Sequence, residues 1–133
     1  MIPDNHHPTK LRATLRAAAI SQLDDLHIDE PLGPWPVHGL QATRRMRAIV
    51  AGIAEAAHEI DPAWFVDRDE DKRTITKSIM VMAGYCPTTV VPVQFSKRAV
   101  QVGRTTIPLT APHAGELILT SVLDVIVAAL PTA

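Results

Sequence analysis

One cysteine in 133 residues, Cys86, leaves no partner for an internal disulfide, so nothing points to an oxidising compartment or to a small stapled fold. Aromatic residues make up 4% of the chain, too few for the stacking platforms that hold single-stranded nucleic acid. Charge of one sign is also missing: the formal net charge is -1, which excludes a global attraction to polyanions or anionic membranes. No apolar run reaches the ~18–20 residues that span a bilayer. The opening "MIPDNHHPTK" has no basic stretch followed by an apolar one, so no secretory signal is expected. These absences predict a protein of the cytoplasm or of an assembled particle.

Chemical motifs are equally sparse. The chain has no glycine-rich phosphate loop, dinucleotide fingerprint, Cys-x-x-Cys pair, nucleophile elbow or helical His-Glu-x-x-His. No catalytic residue and no cofactor is assigned, and the balance moves from catalysis toward binding and assembly. What is present is an ordinary globular mixture, 47% hydrophobic and 20% charged, in a length that suits one domain spanning residues 1–133.

Leu11, Leu15, Ala18, Ala19, Leu23 and Leu26 recur at helical spacing behind Pro8, predicting a first long helix. Its charges oppose its dipole, with Lys10, Arg12 and Arg16 early and Asp24 and Asp25 late. They form either a solvated face or a contact with a partner. The segment "DEPLGPWPVHGL" at 29–40 holds three prolines and two glycines and reads as an ordered connection. Trp35, framed by Pro34 and Pro36, is either a plug under the domain or an anchor for another subunit.

A second long helix is expected from about Ala42 to Ile60, with Met46, Ile49, Val50, Ile53, Ala57 and Ile60 on one stripe. Glu55 and His58 give one Glu-x-x-His, the half-motif from which bundles build paired metal sites. At about 100° per residue they point roughly 170° and 130° away from the apolar stripe. No second such motif occurs in the chain. Glu55 and His58 are therefore weak metal candidates, and an exposed pair is the simpler reading.

Asp61-Pro62 suggests a short helical turn with Trp64 and Phe65 packed inward. Asp67, Asp69 and Asp71 match the first ligands of a calcium loop. Lys72 stands where that loop needs glycine, and Ser78 where it needs glutamate, so the shell does not close. Residues 73–83 carry conflicting signals. An acidic first turn, Ile75, Ile79 and Met82 at helical spacing, and Gly84 as a stop favour a helix; β-branched residues favour a strand. The expectation adopted is a helix.

Residues 89–109 predict a small antiparallel sheet. Its hairpin near 98–109 turns at Gly103-Arg104, with Val102 opposite Thr105 and Val100 opposite Ile107. Pro92 and Pro108 suit edges or bulges. The last helix runs to Leu130 and is apolar almost all round, with Glu116, Thr120 and Asp124 as one thin polar stripe. Such a helix must be covered by protein. It is either the central core helix or part of a subunit interface, for which Trp35, Leu117, Val122, Ile126 and Leu130 are the candidate residues.

Between Lys72 and Gly115 no acid occurs, whereas Lys72, Arg73, Lys77, Lys97, Arg98 and Arg104 are basic and the preceding stretch from Glu59 to Asp71 is acid-rich. If the hairpin carries its basic residues on one rim, that rim would meet phosphate or an acidic segment of another copy. Cys86 and His113 could pair as nucleophile and base, but no local signature supports this.

The expected fold is α+β: two long N-terminal helices, a small antiparallel sheet and an apolar C-terminal helix. The leading functional expectation is a non-enzymatic assembly subunit acting with other protein subunits, first of all as a homo-oligomer, and without a membrane partner. Small virion components such as phage neck or tail-joining ring proteins are similar in size and character. The alternatives are a small nucleic-acid-binding regulator using the basic surface, and a metal-binding or Cys-dependent enzyme.

Overall fold

The computed structural model describes residues 6–36, 39–70, 76–84 and 86–131, without the side chains of 39, 40, 69, 70, 76 and 77. In chain order the elements are α1 (Pro8–Asp24), α2 (Gly39–Ile60), β1 (Trp64–Glu70), β2 (Thr76–Ala83), β3 (Thr89–Phe95), β4 (Ala99–Val102), β5 (Thr105–Pro108) and α3 (Ala114–Ala129). The five strands form one antiparallel meander in the order β1-β2-β3-β4-β5. Among the described residues, three helices with an antiparallel sheet make the fold α+β, as the sequence predicts. Among the described residues no helix is long and apolar enough to cross a membrane.

Pro8 occupies the first turn of α1, where its missing N–H costs nothing. Leu11, Leu15, Ala19 and Leu23 are the buried side of that helix. α1 packs on α2 along small residues of the latter, Ala48, Gly52 and Ala56, all buried and four apart. At Gly52 the approach is so close that a β-carbon would stand 2.5 Å from the Ala18 carbonyl oxygen. The thin sides of α2 thus receive a helix of the same chain.

Two of the early cations of α1, Arg12 and Arg16, are likewise met internally. The Arg16 guanidinium donates to Glu116 Oε2 at 2.7 Å, Arg12 pairs with Asp124, and Arg12 Nη2 donates to the Thr120 carbonyl at 3.3 Å. The polar stripe of α3 therefore lies under the basic residues of α1, with the two helices antiparallel. A charge order unfavourable to the dipole of α1 is compensated by a helix a hundred residues away.

Two expectations about 61–83 are corrected. The Asp61 side chain accepts from the Ala63 N–H at 3.0 Å and its carbonyl from the Trp64 N–H at 2.9 Å. This is a tight turn that leads into strand β1 rather than into a helix. Adjacent strand residues point to opposite faces, so Trp64 is buried at 2% exposure while Phe65 is 48% exposed. The stretch read as helical over 73–83 is strand β2 over its described part, with Ile79, Val81 and Ala83 inward and Met80 and Met82 outward. It is flanked by β1 and β3 on its two sides, and pairing from both sides outweighs helical spacing in a β-branched segment.

β3 pairs with β2 through 89–92 and with β4 through 93–95. Pro92 stands at that handover, and its carbonyl accepts from the Gly103 N–H at 2.9 Å. The β4–β5 hairpin has the register read from the sequence, Val102 with Thr105 and Val100 with Ile107. Gly103 begins the turn at φ 60°, a conformation that favours glycine.

The 29–36 connection straps the head of α3. The Gly33 and Leu32 carbonyls accept from the N–H groups of Gly115 (2.7 Å) and Glu116 (3.1 Å), and the Trp35 N–H donates to Leu109 O at 2.9 Å. The bonds to Gly115 and Glu116 satisfy donors that a helix start leaves open. They also explain Gly115, whose β-carbon would stand 2.6 Å from the Pro31 carbonyl oxygen.

Candidate functional site

The metal candidates do not converge. Glu55 is exposed on α2. His58 Nδ1 lies 3.3 Å from the Trp64 carbonyl, and its ring packs at 4.9 Å against Phe65, tilted by 40°, so this imidazole ties the end of α2 to β1. His6 is placed in a similar way, its ring 4.7 Å from Trp64 and Nε2 3.9 Å from Asp61. Among the described residues no group of three or more His, Cys, Asp or Glu could hold a metal ion. Asp67 lies in an extended strand and accepts from the Arg68 N–H at 2.8 Å. A calcium loop would need that backbone curled around the ion; Asp71 and Lys72 lie outside the described residues, as does the Asp69 side chain.

Cys86 is exposed in the β2–β3 connection, and its N–H donates to Ala83 O at 3.1 Å. His113 precedes α3 and caps it with no side-chain bond. The two stand on different connections of the sheet.

The basic residues do not share a rim. Lys97 and Arg98 occupy the β3–β4 turn and Arg104 the β4–β5 turn, at opposite ends of β4. Four residues of strand, about 13 Å, separate them. The hairpin therefore carries its basic residues in two separate places. Lys72 and Arg73 lie outside the described residues, as does the Lys77 side chain.

Four of the five candidate interface residues are covered by the chain itself. Trp35, Val122, Ile126 and Leu130 are all buried in the core, whereas Leu117 is 45% exposed. α3 is the core helix of the two alternatives, because α1, β4, β5 and the strap pack on it and leave only the strip of Leu117, Asp124 and Ala128 exposed. Trp35 is the plug: Arg45 lies over its ring at 5.7 Å and donates to Pro34 O at 3.5 Å. Burial lowers the Arg45 pKa from its ordinary value. Burial also lowers that of Arg68, aided by Arg47 and opposed by Asp67.

Among the described residues, an apolar sheet face and a cleft stand open to solvent. On the outer sheet face Phe65 stands opposite Met82 and Met80 opposite Val90. Phe65, Met82 and Val90 are 48%, 36% and 57% exposed. Farther along the same face the residues turn polar, with Gln94 opposite Gln101 and Gln101 opposite Thr106. The apolar half is missed by a helical reading of 73–83; the alternation of Ile79, Val81 and Ala83 with Met80 and Met82 is the signal that reveals it.

The second surface is a cleft of about 600 Å³ between the C-terminal end of α1 and the strap. Ile20, Leu23, Leu32 and Pro34 form its apolar lining, and Asp24, Glu30 and His113 its polar one. Glu30 has φ 47°, a strained conformation for a residue with a side chain. Comparison with protein-family models, curated proteins and solved structures finds no match for this chain.

Proposed function

We propose that this chain is a non-enzymatic structural subunit that works in a homo-oligomer or a larger complex, in the cytoplasm or within an assembled particle. A virion component such as a phage neck or tail-joining ring is a setting of matching size. In this reading the two N-terminal helices and the apolar C-terminal helix are the scaffold, and the sheet presents the contact surface.

The observation that carries the reading is the outer face of β1–β3. A sheet packed on one side normally turns polar residues to water on the other. Here Phe65 and Met82 are exposed as a cross-strand pair and Val90 is exposed opposite half-buried Met80, with Asp67 on the other side of Met80. Contiguous exposed apolar surface of this kind marks contact with another macromolecule. Methionine adds a side chain that adapts to a partner's shape.

Light scattering across a concentration series tests the reading. The expected result is a mass above the 14.5 kDa of one chain that falls when Phe65 and Val90 are both changed to Ser. A strict monomer at high concentration, alone and with its co-purifying proteins, overturns it.

A further inference from the structure

Among the described residues, two surfaces of opposite charge are without an ion-pair partner, one concave and one convex. The concave one is the cleft at the end of α1, whose apolar floor includes Leu23 and Leu32 and whose rim carries Asp24 and Glu30. Both carboxylates are exposed and have no ion pair among the described residues. The convex one is the β3–β4 turn, where Lys97 and Arg98 are exposed and likewise without an ion pair among the described residues. This turn is stiff: the Ser96 N–H donates to Ala99 O at 2.8 Å, and the Ala99 N–H donates to Ser96 Oγ at 3.1 Å. A contact made by an already ordered turn loses little conformational freedom on docking.

The signs of these charges decide which surfaces can meet. Cleft against cleft would bring four carboxylates together, and turn against turn four cations. Cleft against turn pairs two of each. We propose that the cleft receives the Ser96–Arg98 turn of a second copy of the chain, with Lys97 and Arg98 set against Asp24 and Glu30. This rests on the assembly reading above and names a contact within it. Exposed ion pairs are individually weak, so the apolar floor supplies the burial while the pairs set orientation and exclude like-with-like contacts. The two patches differ, so the contact is heterologous and each copy uses both.

The experiment is charge reversal in the full chain, with mass in solution as the readout at low salt. One variant carries Asp24→Lys and Glu30→Lys, the other Lys97→Glu and Arg98→Glu. All four side chains are exposed, and circular dichroism confirms that each variant keeps its fold. Each variant alone is expected to self-associate roughly tenfold more weakly or worse, because every cleft then faces a turn of its own sign. An equimolar mixture is expected to regain wild-type association, because the basic cleft fits the acidic turn and the acidic cleft fits the basic turn. A mixture that stays dissociated overturns the proposal. Wild type that assembles together with reversal variants that assemble equally well removes this contact and leaves the assembly reading standing. A wild type that is monomeric throughout removes the contact and the homo-oligomer with it.

Discussion

Arg16 and Glu116, a hundred residues apart in the chain, meet at 2.7 Å across the α1–α3 contact. Both side chains are about one-third exposed, so water screens the pair and its worth is limited. A double-mutant cycle with Arg16→Ala and Glu116→Ala, followed by urea unfolding, is expected to give a coupling of about 0.2–1 kcal/mol. A coupling of several kcal/mol would mean that the pair is far less hydrated than its exposure says.

Replacing Gly52 by alanine tests the closeness of α1 and α2. Helix propensity alone favours alanine by about 1 kcal/mol. The collision of its methyl group with Ala18 O, at 2.5 Å, reverses the sign, and a loss of about 1–3 kcal/mol is expected. Ala51, exposed on the same helix, is the control, since Ala51→Ser should change stability by less than about 0.5 kcal/mol. A stabilised Gly52→Ala protein would show that the helices stand farther apart.

Trp64 and Phe65 distinguish strand from helix by adjacent substitutions. Trp64→Ala removes a buried side chain and is expected to cost about 3–5 kcal/mol. Phe65→Ala should cost much less, because that ring is half in water and loses only its contact with His58 and part of its packing. Thermal or urea unfolding under conditions that keep the protein monomeric checks the contrast. Equal losses at both positions would contradict the alternation of β1.

A similar contrast is expected on α3. Ile118→Ala opens a cavity in the core and should cost about 2–5 kcal/mol, whereas Leu117→Ala should leave stability nearly unchanged. Mass in solution for Leu117→Ala reports separately whether this residue takes part in a subunit contact.

The mixed helix-and-antiparallel-sheet class was legible in the chain, and so was the Gly103 hairpin with its register. Both depend on near neighbours: a residue with φ 60° calls for glycine, and alternation around it fixes which side chains share a face. The identity of 73–83 was less accessible, because β-branched residues and helical spacing compete within it and the flanking strands β1 and β3 decide the outcome. The same limit applied to the candidate site. Trp35, Val122, Ile126 and Leu130 are apolar in any reading, but whether they face a partner or the chain's own core depends on where α1 and the strap come to rest.

Local chemistry therefore determined the Gly103 turn and the apolar period of the helices and of the β4–β5 hairpin, since these arise among residues a few positions apart. Tertiary structure alone decided which surfaces stayed open to water: it placed Glu116 and Asp124 under arginines of α1, wrapped α3, and left the outer face of β1–β3 and the Asp24–Glu30 cleft exposed. The reason is that burial is a property of the segments that meet, and the meeting partners here lie up to a hundred residues and more apart along the chain.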